Sequence, residues 1–150
     1  MNKKPIHFQL NILEILDHEL LDDHKGKIIK FGSDMFKEII NSLNWKDNKV
    51  LELLAEKIFF KRDIFCMFDM EIIESIDKLI INLNPTNRIT ELHKMYIFYV
   101  KSLILFKNGK IIEAKKVIES LISRLNEDEI FNTYCDVNDL YLEILKELDS

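Results

Sequence analysis

The 150-residue sequence has few of the residues that form turns, since it contains only three glycines and two prolines. An all-β domain of this length would need many more of them, so that fold class is disfavoured. The two cysteines, Cys66 and Cys135, lie far apart in apolar helical contexts and do not form a disulfide framework. Alanine is equally scarce, with two residues against 23 isoleucines. We expect a helical protein with reduced thiols.

Long hydrophobic runs are also missing. The longest, residues 64–68 and 95–100, are closed by charged residues and fall well short of the roughly 20 residues that a membrane span needs. Acidic residues follow the lysine-containing start, where a signal peptide would have an apolar core. The net charge of −5 argues against nucleic acid as a direct partner. These absences predict a cytoplasmic protein that binds neither membranes nor nucleic acid.

An apolar period of 3.6 residues runs along almost the whole chain. It predicts an all-α fold of about seven helices in a single domain, residues 1–150, with the last helix at about 127–148. Helix starts recur at roughly 40-residue spacing, and each of the first three is followed by a partner helix. The pattern predicts antiparallel helix hairpins stacked as a short tetratricopeptide-like α-solenoid, with a plain helical bundle as the alternative.

One predicted hairpin follows the tetratricopeptide pattern at five positions. Ser102 is a small residue where two helices must approach closely, and Gly109 lies at the turn between them. Ala114, one of the two alanines, falls where the second helix crosses the first. Ile118 and Leu121 then point inward. The successive spacings of seven, five, four and three residues match the repeat.

Three stretches of the chain share a wider pattern. They are residues 91–110, residues 121–126 with the aromatic-bearing helix that follows (Phe131, Tyr134 and Tyr141), and Trp45 between an amphipathic helix and the Leu-rich residues 50–54. In these features the chain resembles the C-terminal helical-repeat region of Rgg/MutR-type transcription regulators. The resemblance covers about residues 28–147.

The resemblance implies a cytoplasmic receptor for a short peptide pheromone in quorum sensing. The peptide would lie in the concave face of the hairpins, and the C-terminal repeats would form a homodimer. Family members begin with a helix-turn-helix domain, whereas the first 25 residues here are acidic and show no basic recognition helix. We therefore expect either a separated sensing and dimerising domain or a stand-alone protein, and no DNA contact by this segment.

The candidate peptide-binding residues lie on the first helix of the tetratricopeptide-like hairpin, where the analogy places the concave face. They are Tyr96, Tyr99, Leu103, Phe106 and Lys107. Aromatic side chains with a flanking lysine suit an extended apolar peptide and its carboxylate. The alternative for each residue is packing against the preceding hairpin.

The last predicted helix carries an apolar seam at alternating spacings of three and four residues. Its members are Ile130, Tyr134, Val137, Tyr141 and Ile144. The seam fits either a helix that caps the repeats or a homodimer interface.

Four phenylalanines lie within ten residues of one another around the charged segment 61–63. They are Phe59, Phe60, Phe65 and Phe68. Some must face the core at the usual helical spacing. The segment predicts a short corner between helices or a surface for a partner.

No motif of a catalytic or metal site stands out. His18 and Asp22 have the i, i+4 spacing of a zinc-binding helix, but a zinc hydrolase also needs a third ligand and a water-activating glutamate. We expect a solvated helix end there, and we expect His7 and His93 at the surface or in turns. The sequence predicts no enzyme and no cofactor. Beside a peptide receptor, it fits a stand-alone module that binds one protein partner through its acidic surface, such as a phage or mobile-element inhibitor or an immunity protein.

Overall fold

A computed structural model of the chain describes residues 25–125 and 135–150. These residues form seven α-helices and one 3-10 turn, with no strand among them. The predicted all-α fold of helical hairpins is thereby confirmed. The helices are α1 Lys25–Ser42, α2 Asn48–Phe60, α3 Arg62–Phe65, α4 Ile73–Asn82, α5 Arg88–Lys107, α6 Ile111–Ile122 and α7 Cys135–Leu148, and the 3-10 turn is Met70–Ile72. The first predicted helix lies outside the described residues.

Contacts divide the chain into two compact units, Met1–Ile97 and Phe98–Ser150. The boundary falls within α5, so this helix contributes its first half to one unit and its second half to the other. The single domain and the stacking of the hairpins as a solenoid stay predictions. Among the described helices, none combines the length and the apolar content that crossing a membrane requires.

The core of the first unit comes from the apolar faces of α1, α2 and α4. Its fully buried members include Phe36, Ile39, Leu51, Leu54, Ile58, Ile76 and Leu79. Each such side chain stabilises the fold by about 1.5–3 kcal/mol relative to an exposed one. The predicted helix corner is also present, because Phe65 on α3 is buried with its ring 5.2 Å from that of Phe36 and 5.0 Å from that of Phe68.

Asn48 ties the start of α2 to the segment that follows α4. Its side-chain amide donates to the carbonyl of Asn84 at 2.7 Å, and its side-chain carbonyl accepts from the backbone N–H of Asn84 at 2.9 Å. Pro85 follows at once, and proline disfavours the helical conformation in the residue before it. The chain accordingly leaves the helical conformation after Asn82, where α4 ends.

The second unit contains the hairpin of α5 and α6 with its small residues in the expected places. Ser102 and Ala114 have no exposed surface, and the Ser102 hydroxyl donates to the Ala114 carbonyl at 2.9 Å. Gly109 has a φ of +79° in the turn, a conformation that residues with a Cβ rarely adopt. Ile118 and Leu121 are buried as predicted. The helix crossing is therefore close because Ser102 and Ala114 are small.

Candidate binding surface

Two exposed apolar side chains border one histidine in the first unit. Phe60, at the end of α2, is 63% exposed, and its ring centroid lies 6.1 Å from that of His93 on α5. Ile89 is 66% exposed and precedes His93 by one helical turn, so it shares the same face of α5. We call Phe60, His93 and Ile89 the Phe60 surface.

His93, the buried member of the Phe60 surface, packs against a cluster of aromatic side chains. The Phe59 ring lies 4.8 Å from the His93 ring and 5.0 Å from the Tyr96 ring, which it meets edge to face. The guanidinium of Arg62 lies 5.1 Å from the Phe59 ring centre and 5.0 Å from that of Tyr96. These cation–π distances are favourable. The cluster holds the first turns of α5 against the end of α2.

Arg62 also closes the end of α2. Its Nη1 donates to the backbone carbonyl of Phe59 at 3.0 Å. Carbonyls in the last turn of a helix have no partner within the helix, and a basic side chain there satisfies one of them. The position of Phe59 and Phe60 is therefore fixed both by ring contacts and by a hydrogen bond to the backbone that carries them.

His93 lies inside this cluster and has an unusual environment. Its side chain is largely buried, with 9% of the residue exposed, and its Nδ1 has no hydrogen-bond partner among the described residues. Burial lowers the pKa of His93, and the carboxylate of Glu56 on α2 opposes this effect. Because burial disfavours the charged form, the imidazole is held neutral at neutral pH.

The prediction that His93 lies at the surface or in a turn was wrong. His93 is spaced three residues before the buried Tyr96, so it falls on the face of α5 that meets α2. This spacing was the available signal. The residue type alone does not show whether a histidine lies on the buried or the exposed face of a helix.

The five predicted peptide-binding residues are spread between buried and exposed positions. Tyr96 and Tyr99 are buried, Leu103 and Phe106 are partly exposed, and Lys107 is exposed. Tyr96 and Tyr99 therefore contribute to packing, the alternative that the sequence left open. The binding role of Leu103, Phe106 and Lys107 stays a prediction.

The predicted seam of the last helix lies partly in α7. Val137 and Ile144 are fully buried, and the hydroxyl of Tyr141 donates to the Glu119 carboxylate at 2.9 Å, which raises the pKa of Tyr141. The helix contacts α6, as a capping helix would. Ile130 and Tyr134 lie outside the described residues. A homodimer through this helix stays a prediction.

A charged network joins α1 to the 3-10 turn. Glu71 accepts from Lys37 at 2.7 Å and from Lys30 at 3.4 Å, and Lys30 also pairs with Asp34 at 3.2 Å. The two lysines lower the pKa of Glu71, and the largest single cause is the hydrogen bond from Lys37. All these groups are at the surface, where ion pairs add little to stability. We interpret the network as a structural contact between α1 and the 3-10 turn, not as a binding site.

The described residues contain no group of three or more side chains suited to hold a metal ion. His18 and Asp22, the spacing considered for zinc, lie outside them. Neither a protein-family model, nor a curated protein, nor a solved structure significantly matches this chain. The resemblance to Rgg/MutR-type regulators therefore depends on the sequence pattern alone.

Proposed function

We propose that this chain is a non-catalytic binding module that captures a short apolar peptide at the Phe60 surface. The observation that carries the proposal is a pair of exposed side chains near His93. They are Phe60, whose ring lies 6.1 Å from that of His93, and Ile89, one helical turn before His93 on α5. Single exposed apolar side chains are common on protein surfaces, so the proposal depends on these two being near one buried histidine. Aromatic residues in such positions contribute a large share of the binding energy.

The size of the surface favours a peptide over a folded partner. A phenylalanine offers about 150–250 Å², so Phe60 and Ile89 together expose on the order of 200 Å² of apolar side chain. A stable interface between folded proteins buries about 800 Å² on each side. One or two apolar side chains of a peptide would cover the surface described here.

The biological setting in this proposal follows the Rgg/MutR resemblance. The peptide would be a signal in quorum sensing, and the chain would be the sensing half of a transcription regulator. Peptide occupancy would change the stacking angle of the helix hairpins without covalent chemistry. Homodimerisation through the last helix belongs to the same proposal.

Selection of random short peptides displayed on phage tests the binding role. Calorimetry with the selected peptides should show that Phe60→Ser and Ile89→Ser each weaken binding by tenfold or more, equivalent to about 1.4 kcal/mol. The matched control is Ile81→Ser, because Ile81 on α4 is even more exposed, at 78%. Circular dichroism should show that all three variants keep the helical content of the wild type.

Two results would contradict the proposal. One is a selection that enriches no peptide. The other is a set of peptides whose affinity falls equally in the Ile81→Ser control, since general loss of surface apolarity would then explain the effect. Either result would favour the alternative hypothesis, a stand-alone module that binds one protein partner through its acidic surface.

A further inference from the structure

The surroundings of His93 in the aromatic cluster favour one charge state of its ring. The neutral imidazole has one N–H donor and one acceptor, whereas the imidazolium has two N–H donors. The buried Nδ1 has no partner among the described residues, so a proton on both nitrogens would leave a charged donor unsatisfied. The neighbouring Phe59 ring, 4.8 Å away, offers no lone pair to accept it. The cluster is therefore built around the neutral ring.

Two charged side chains lie near the cluster that contains His93. On α3, the Arg62 guanidinium lies over the rings of Phe59 and Tyr96, and the Phe59 ring is the one that His93 contacts. On α2, the carboxylate of Glu56 favours the charged imidazole. Glu56 is exposed and precedes Phe60 by one helical turn, so it lies on the solvent side of the same face.

We propose that His93 is a proton-operated latch of the Phe60 surface. The neutral ring packs against Phe59 and Phe60 and closes the apolar surface between Phe60 and Ile89. The protonated ring leaves this place for the solvent side, beside the Glu56 carboxylate. Protonation therefore converts a continuous apolar surface into one interrupted by a positive charge.

The consequence for ligands depends on the proposed function. An apolar peptide that contacts Phe60 and Ile89 would bind the neutral form of His93 and lose affinity as the pH falls. The latch itself needs no ligand, because it concerns only contacts within the first unit. The two proposals can therefore fail separately.

Ring signals in nuclear magnetic resonance spectra, followed from about pH 8 to about pH 5, test the latch directly. We expect the His93 ring to titrate at a lower pH than an exposed histidine, and the Phe59 and Phe60 ring signals to shift with the same midpoint. Glu56→Gln should move this midpoint to still lower pH, because the carboxylate favours the imidazolium. His93→Phe should abolish the pH dependence of the Phe60 signals.

The latch is overturned if His93 titrates while the Phe59 and Phe60 signals stay constant, or if these signals titrate equally in His93→Phe. Glu56→Gln keeps the test decisive should His93→Phe not fold, because Glu56 is exposed and its loss leaves the core intact. An unchanged midpoint in Glu56→Gln would also contradict the proposal. Calorimetry with a selected peptide adds a separate result: binding that weakens on acidification in the wild type and not in His93→Phe.

Discussion

The two halves of α5 each bury a polar side chain, and they treat it differently. In the second unit the hydroxyl of Ser102 is fully buried and donates to the Ala114 carbonyl at 2.9 Å. In the first unit Nδ1 of His93, nine residues earlier, is buried without a partner among the described residues. A satisfied hydrogen bond contributes about 1 kcal/mol to stability, whereas an unsatisfied buried group costs about 1–3 kcal/mol. The buried hydroxyl at the crossing of α5 and α6 is thus hydrogen-bonded. The buried imidazole at the corner of α2 and α5 lacks such a bond at Nδ1, so its charge state can change with pH.

The largest effect is expected in the second unit, where the last helix, α7, packs its apolar face inward. Ile144 on α7 is fully buried, so Ile144→Ala should lower the free energy of unfolding by about 2–5 kcal/mol in chemical denaturation. Leu142→Ala on the same helix is the matched control, and we expect a change within about 0.5 kcal/mol because Leu142 is exposed. Equal effects would show that the seam does not face the unit's interior, and would favour the dimer interface.

A second test enlarges the small residue at the helix crossing. Ser102→Leu should lower the free energy of unfolding by about 1–3 kcal/mol, since a well-packed interior must shift to admit the larger side chain. Ser102→Ala should cost only about 1 kcal/mol, the value of the lost hydrogen bond to Ala114. A leucine tolerated as well as alanine would mean that the two helices have room to separate.

The smallest expected effect is at His93, and its sign depends on pH. Since the pKa of His93 is lowered in the fold, the unfolded state binds more protons as the pH falls below about 6.5. The stability contributed by the neutral ring is present above the pKa of the unfolded histidine and is lost as the pH falls towards the folded pKa. His93→Phe should therefore match or exceed the wild type by about 1 kcal/mol at neutral pH.

On acidification, the stability gap between His93→Phe and the wild type should widen. The other three histidines are common to both proteins, so the difference between their denaturation curves reports His93 alone. A gap that narrows at low pH would contradict the assigned direction of the pKa shift.

Much of the α5–α6 hairpin was predictable because its constraints are local and its small residues are rare. In a chain with three glycines and two alanines, Gly109 and Ala114 stand out, and their spacing from Ser102 identifies the turn and the crossing. The structure confirms each of these positions. The α2–α5 corner was harder, because aromatic residues are common there and any of them could face inward.

The phenylalanines show why periodicity alone could not predict which side chains at that corner are buried. Phe60 and Phe65 lie five residues apart, yet the first is mostly exposed and the second is buried. Their orientations depend on where α2 ends and α3 begins, a change of direction that helical periodicity does not report. The sequence predicted a corner or a partner surface, and the structure contains a corner with Phe60 on its outside.

Local sequence was sufficient to predict an all-α fold and to locate the turn at Gly109, because periodicity and backbone preference act over a few residues. It could not establish which apolar side chains another helix covers. Tyr96 has the same periodicity as a ligand-facing residue but lies against Phe59. His93, predicted to be at the surface, lies against the same ring. Whether a side chain is buried depends on the element that packs against it. The burial of Tyr96 and His93 is therefore decided by the packing of α5 against α2.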